Sequence, residues 1–205
     1  MKSLKYLIPA MAILVLAITP SLAFGQFNTG TQGCCDKLDH HWTLTDAPPG
    51  VLLGNVFSVD PDSLGFQCPG GWCPPSPGSW WINPTGSLDS NAPAGLYTYS
   101  MTFTFDGLTD IKGEFAADNS AEIWIGSVYT GIHTLGGSYG FQQYTPFDLG
   151  VLSGQQTLNF KVNNEGSYTG LEVEFFATTP EPSSLLLMGT GVLALIGVVR
   201  RKLVG

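Results

Sequence analysis

Positive charge is scarce in this chain of 205 residues, which carries eight Lys and Arg against sixteen Asp and Glu. Five of the eight sit at the two ends, Lys2 and Lys5 at one, Arg200, Arg201 and Lys202 at the other. Between residues 24 and 180 there are three lysines, no arginine and fifteen acids, a formal charge of −12. A surface that neutralises phosphates needs clustered Lys and Arg, so nucleic acid is excluded as a partner. Charged residues of every kind make up 12%, against an ordinary share of about 25%. The chain is therefore neither a disordered polyampholyte nor a bundle of Ala/Glu/Lys-rich helices. What it has instead is 26 Gly and 14 Pro, with Thr, Ser, Asn and aromatics, the material of strands and turns.

Residues 1–5 are a short basic start, residues 6–18 an apolar run, and Ser21-Leu22-Ala23 places small residues before a cut. This pattern predicts a signal peptide over 1–23, with cleavage after Ala23 and Gly25 as the second choice. The apolar run is too short for the about 20 helical residues that span a bilayer. At the other end Pro180-Glu181-Pro182 precedes seventeen uncharged residues, 183–199, and then Arg200-Arg201-Lys202. That predicts a terminal transmembrane helix with its basic end cytoplasmic and residues 24–179 outside.

The Pro-Glu-Pro tripeptide, the Gly-containing apolar stretch and the terminal Arg cluster, in that order, resemble the PEP-CTERM sorting signal of Gram-negative, exopolysaccharide-producing bacteria. The resemblance implies a processing partner, an exosortase, which is a membrane transpeptidase-like protease that recognises the tail and cuts near the motif. It also implies a precursor held transiently in the inner membrane and a product at the cell surface or in the extracellular matrix. Proline on both sides of Glu181 keeps that segment extended and open to a protease. As with a GPI signal, the tail states a destination and not an activity.

Residues 24–179 have the length of one domain with room for a core. Over residues 97–105, Tyr97, Tyr99, Met101, Phe103 and Phe105 alternate with Thr98, Ser100, Thr102 and Thr104. Period two puts the aromatics on one buried face and the hydroxyls toward water, and Asp106-Gly107 is expected to end the strand as a turn. Residues 113–117, 121–125, 156–162 and 171–175 follow the same rule, the last with Glu172 and Glu174 outward. Weaker candidates are 42–45 and 51–59. Turn-rich joints such as Asp118-Asn119, Gly136-Gly137 and residues 163–166 complete an all-β sandwich.

The order of Trp81-Ile82, the Tyr97–Tyr99–Phe103 stripe, Asp118-Asn119 ahead of Ile123-Trp124-Ile125-Gly126, Phe147-Asp148-Leu149, Leu158-x-Phe160-x-Val162 and Gly170-Leu171 looks like the galactose-binding-like jelly roll. That sandwich serves as an accessory domain in many glycosidases. The loop after Trp124 reads Ile125-Gly126-Ser127 where relatives carry Asn-Gly, a departure from the pattern.

Cys34, Cys35, Cys68 and Cys73 lie in the exported part, where an even count favours disulfides. Adjacent cysteines rarely join each other, because the intervening peptide must distort. Bridges from the pair to Cys68 and Cys73 are therefore expected, each contributing on the order of 3 kcal/mol, with either connectivity open. Cys34-Cys35 followed by Asp39-His40-His41 offers zinc ligand types, but without ribbon spacing. Asp60-x-Asp62 lacks the rest of a calcium loop. No metal or cofactor is expected.

No Gly-x-Ser-x-Gly, His-Glu-x-x-His or phosphate loop is present, and His40, His41 and His133 have no recognisable partner pattern. The expectation is a non-catalytic surface or matrix protein that binds polysaccharide. The alternatives are a purely structural matrix protein and, third, a glycoside-acting hydrolase. Candidate sugar contacts are Trp72, Trp80, Trp124 and Tyr129, with Asp118, Asn119 and Gln142 reading hydroxyls. Large aromatics more often fill cores. Trp124 alternates with Ile123 and Ile125, so it is exposed if the isoleucines point inward.

Overall fold

The structure is a computed structural model that describes residues 24–61, 71–88 and 91–176. The signal peptide at 1–23, Cys68, Asp62, the 183–199 helix and the tail residues Pro180, Glu181, Pro182, Arg200 and Arg201 lie outside the described residues. The chain divides into two units, Phe24–Ala177 and a second made of Met1–Ala23 with Thr178–Gly205; the first is described here. No helix among the described residues is long and apolar enough to cross a membrane.

Eight strands follow in chain order: β1 (Leu38–Asp46), β2 (Gly54–Val59), β3 (Trp81–Asn83), β4 (Gly95–Asp118), β5 (Ser120–Ile125), β6 (Val128–His133), β7 (Thr145–Asn164) and β8 (Gly170–Phe175). They are hydrogen-bonded in the order β1-β2-β3-β8-β4-β7-β5-β6, and β1 also pairs with β4. The long strands β4 and β7 run antiparallel, Gly95 opposite Asn164 at one end and Phe115 opposite Thr145 at the other. The first half of β4 and second half of β7 pair with β1 and β5, and β6 extends this layer. The second half of β4 pairs with β8 and with the first half of β7, and β3 and β2 extend the other layer. The expected turn at Asp106-Gly107 does not end the strand. β4 continues through it, with register shifts at Phe105/Thr109 and Ile111/Lys112. Such bulges bend a strand without ending it, which lets one strand serve both layers of the sandwich.

Between the layers lies one core. Tyr97, Tyr99, Met101, Phe103 and Phe105 are all buried, as the alternation requires. They meet Trp42 and Leu44 from β1, Val56 from β2, and Phe115, Phe147, Leu171, Val173 and Phe175 from the second layer. Phe160 on β7 is central, its ring 5.5 Å from Trp42, 5.4 Å from Phe115 and 6.2 Å from Phe147. It is completely buried. Truncating such a residue removes its transfer energy and leaves a cavity. Phe160→Ala should lower unfolding free energy by about 3–5 kcal/mol, read from urea denaturation, whereas Leu52→Ala, at a highly exposed position, should leave the midpoint within error.

Candidate functional site

Away from the core, the first layer presents a polar face. His41, Thr43 and Thr45 from β1, Ser100 and Thr102 from β4, and Thr157 and Asn159 from β7 line an open depression of about 540 Å³. Register brings them together, Thr43 opposite Ser100 and Ser100 opposite Asn159. Asn159 in turn faces Trp124 on β5, and Trp124 faces Tyr129 on β6. Period two selects these residues from strands whose other faces are the core. The lining holds no Asp, Glu, Lys or Arg.

The hydroxyls are tied into a network. Thr45 Oγ1 and Ser100 Oγ are 2.7 Å apart, Ser100 donates to Asn159 Oδ1 at 2.6 Å, and Asn159 Nδ2 donates to the Gly126 carbonyl at 2.7 Å. Thr102 and Thr157 share a hydrogen bond of 2.8 Å. Each hydroxyl is both donor and acceptor, so the face retains hydrogen-bonding capacity toward a ligand after these bonds are made.

Ile123 is fully buried and Ile125 packs against the core, which puts Trp124 on the outer face. It is not a bare stacking platform. The Lys161 ammonium sits 3.7 Å from the ring centroid, Tyr129 leans on it at 5.4 Å, and the indole N–H donates to Glu122 at 3.1 Å. Tyr129 Oη is 3.3 Å from His133 Nδ1. A sugar ring stacking on Trp124 must first move Lys161.

The other candidates do not join this face. Trp72 is buried, stacks on Trp81 at 4.3 Å and donates to Asp118 Oδ2 at 2.7 Å, so this pair is interior and not a sugar surface. Asn119 accepts from the Glu165 amide at 2.7 Å and holds the loop between strands. Trp80 is half-buried, its amide bonded to the Thr29 carbonyl at 2.8 Å. Gln142 ends the short helical turn Gly137–Gln142 and is half-buried. A second depression, about 290 Å³ and mostly apolar, lies beside Val51, Leu52, Pro84, Pro93 and Thr169.

The cysteines depart from expectation. Cys34 is joined to Cys35 across a cis peptide, with the Cα atoms 3.1 Å apart, in place of bridges from this pair to Cys68 and Cys73. Turned to one side of the chain, the two sulfurs are each other's nearest partners. Cys73 is buried in the segment that covers β8. A carboxylate oxygen of Asp60 lies within 4.8 Å of both joined sulfurs. Asp39 is committed elsewhere, accepting backbone bonds from Gly30, His41 and Trp42 at 2.6, 2.8 and 3.0 Å.

Sequence reasoning missed the burial of Glu172. Alternation put it on the face away from the core, and it is there, but it is wholly covered. The signal was available in residues 71–80, ten positions with two Trp, three Pro and no charge. Such a run is poorly suited to solvent and had to cover something.

Comparison with known proteins decides the question of destination. Residues 178–202 match the PEP-CTERM protein-sorting motif. This chain carries that sorting signal. The motif implies an exported protein, made as a membrane-anchored precursor, processed by an exosortase and sorted to the cell surface. No curated protein matches the chain. Among solved structures it is similar to a β-glucosidase from Kluyveromyces marxianus in complex with glucose, at 9% identity and a TM-score of 0.35, over 74% of this chain and 20% of that one. It is also similar to a GH26-CBM35 β-(1,4)-mannanase from Podospora anserina, at 13% identity and a TM-score of 0.29, over 70% of this chain and 29% of that one. Likenesses this distant do not bear on what the domain binds. The PEP-CTERM motif makes its own prediction: intact mass of the exported protein should show loss of the tail only in cells that contain the exosortase. The same full-length mass in cells with and without it would contradict processing.

Proposed function

We propose that the exported domain is a non-catalytic polysaccharide-binding module, and that a glycan chain lies along the outer face of the layer formed by β1, β4, β7, β5 and β6. The observation that carries this reading is the depression lined by Thr43, Thr45, Ser100, Thr102, Thr157 and Asn159, with His41 at its edge. Its volume falls within the range of about 300–1,000 Å³ usual for ligand sites. Hydroxyl and amide groups held by a fixed network suit the hydroxyls of a sugar, which also donate and accept in every direction. Trp124 and Tyr129, opposite each other in register, extend the row on one side.

Each neutral hydrogen bond contributes only about 0.5–1.5 kcal/mol net, so a single site binds weakly. Many domains on a polymer of repeating units would hold it through avidity. The PEP-CTERM tail supports a destination where such a polymer is at hand, the surface or exopolysaccharide matrix of a Gram-negative cell.

Affinity electrophoresis through gels containing a panel of soluble polysaccharides tests the reading. The protein should be retarded by at least one. Asn159→Ala and Ser100→Ala should each weaken retention by about two- to tenfold, the equivalent of one hydrogen bond. Trp124→Ala should weaken it further by removing the wall of the row. Migration unchanged across the whole panel would contradict binding and favour a purely structural matrix protein.

A further inference from the structure

The second layer's outer face is acidic, and its centre is covered. Glu114, Ala116 and Asp118 on β4 point away from the core and lie beside Glu174, Glu172 and Gly170 on β8. Residues 71–80 lie across them. The Trp72 ring rests on Gly170, where a Cβ would come within 2.6 Å of it. At one end of this strap Trp72 Nε1 donates to Asp118 Oδ2 at 2.7 Å. In the middle the Ser76 amide and the Ser79 hydroxyl both donate to Glu172 Oε1, at 2.8 and 2.7 Å.

The bonds around Tyr144 fit Glu172 as a neutral acid. Tyr144 Oη lies 2.6 Å from Glu172 Oε2 and 2.9 Å from the Pro74 carbonyl oxygen. A hydroxyl has one proton to give. If it goes to Glu172, the Pro74 oxygen faces a lone pair at hydrogen-bond distance. If it goes to Pro74, Glu172 must itself donate to Tyr144. A protonated Glu172 satisfies every contact, in the chain Glu172 to Tyr144 to Pro74.

We propose that residues 71–80 are a pH-sensitive latch, held shut by Glu172 as a neutral acid together with Asp118, and loosened when these two acids ionise. Burial pushes Glu172 up to about 7; the hydrogen bonds that Tyr144, Ser79 and Ser76 can donate to the ionised form hold it from rising further, while Glu174 adds to the rise. Burial likewise pushes Asp118 up to about 7, opposed by the Trp72 bond and reinforced by Glu165. The groups facing Glu172 are Glu174 on its own strand, Glu114 on β4, whose Oε1 accepts from Ser76 Oγ at 3.3 Å, and Tyr144 with Cys73 beside it. None is a cation. The ion pairs among the described residues join Lys112 to Asp110 and Asp148, and none of them involves either buried acid.

The sign follows from the direction of these shifts. Both acids bind their protons more tightly in the closed state than in the open one, so closure is complete below the ordinary carboxylate range. Its stability falls as pH rises toward 7, and beyond 7 the full penalty of a buried, uncompensated charge remains.

Amide hydrogen exchange on the exported protein, corrected for the intrinsic pH dependence of exchange, tests the latch. Protection at Ser76 and at Cys73, whose amide bonds to the Phe141 carbonyl at 2.8 Å, should fall about tenfold or more between pH 6 and pH 9, with the fall complete by about pH 8, since between its open-state and closed-state titrations each acid weakens closure about tenfold per pH unit. Protection at Tyr99 in the core should hold. In Glu172→Gln the amide can make the same bonds without a charge, donating to Tyr144 and accepting from Ser76 and Ser79. With Asp118→Asn added, the fall should shrink to less than about twofold. Protection at Ser76 and Cys73 that is flat with pH in the unaltered protein would overturn the proposal. So would the same fall in the double variant, or a parallel fall at Tyr99.

Discussion

The antiparallel pairing of β4 with β7 is the constraint on which the rest of the domain depends. These strands belong to both layers, so their bend fixes the angle and spacing of the sandwich, and every other strand attaches directly or through a neighbour. Bulges near Thr109 and Lys112 accomplish the bend without ending the strand. Because the aromatic stripe of β4 and Phe160 of β7 face inward, the remaining side chains of the same strands face outward in a fixed order. The polar depression and the acidic face are therefore both consequences of one register.

Those two outer faces show how sequence alternation can be used in different ways. On the first layer many of the outward residues are Thr, Ser and Asn, bonded to each other, with Thr43, Thr45 and Thr102 in contact with water and Ser100 buried beneath them. On the second they include Glu172 and Asp118, which are sealed beneath a segment with no charge of its own, while Glu114 and Glu174 are half-buried. Sealing acids in this way is costly unless they stay neutral, and the arrangement around Tyr144 supplies the partners for a neutral Glu172. Other acids, such as Asp46, Asp148 and Glu165, stay exposed, and the net charge of −12 between residues 24 and 180 favours solubility and disfavours anionic partners.

Much of this was legible in the residues. The stripe at residues 97–105, the inward Ile123 and the strands at β5 and β8 follow directly from period two. Asp106-Gly107 was misread because its composition suits a turn, and only the partner strand determines whether the ladder continues. Strand β3 is three residues long and β6 carries little alternation, so neither had a pattern to detect. Glu172 and Trp72 were misplaced for a deeper reason: alternation assigns a side of the sheet, while a distant segment decides whether that side is wet. The joining of Cys34 to Cys35 depends on a local backbone geometry that spacing does not encode. The PEP-CTERM tail was the most legible feature, since its three parts are contiguous and need no folding to be read.

The hydroxyl-lined face of the first layer is the surface we propose meets polysaccharide. Amide chemical-shift mapping during titration with oligosaccharides tests it most directly. Binding there should give saturable shifts confined to Thr43, Ser100, Thr102, Thr157, Asn159 and their neighbours at Trp124. Shifts confined instead to the apolar depression around Leu52 and Pro84, or no shifts with any oligosaccharide, would contradict it.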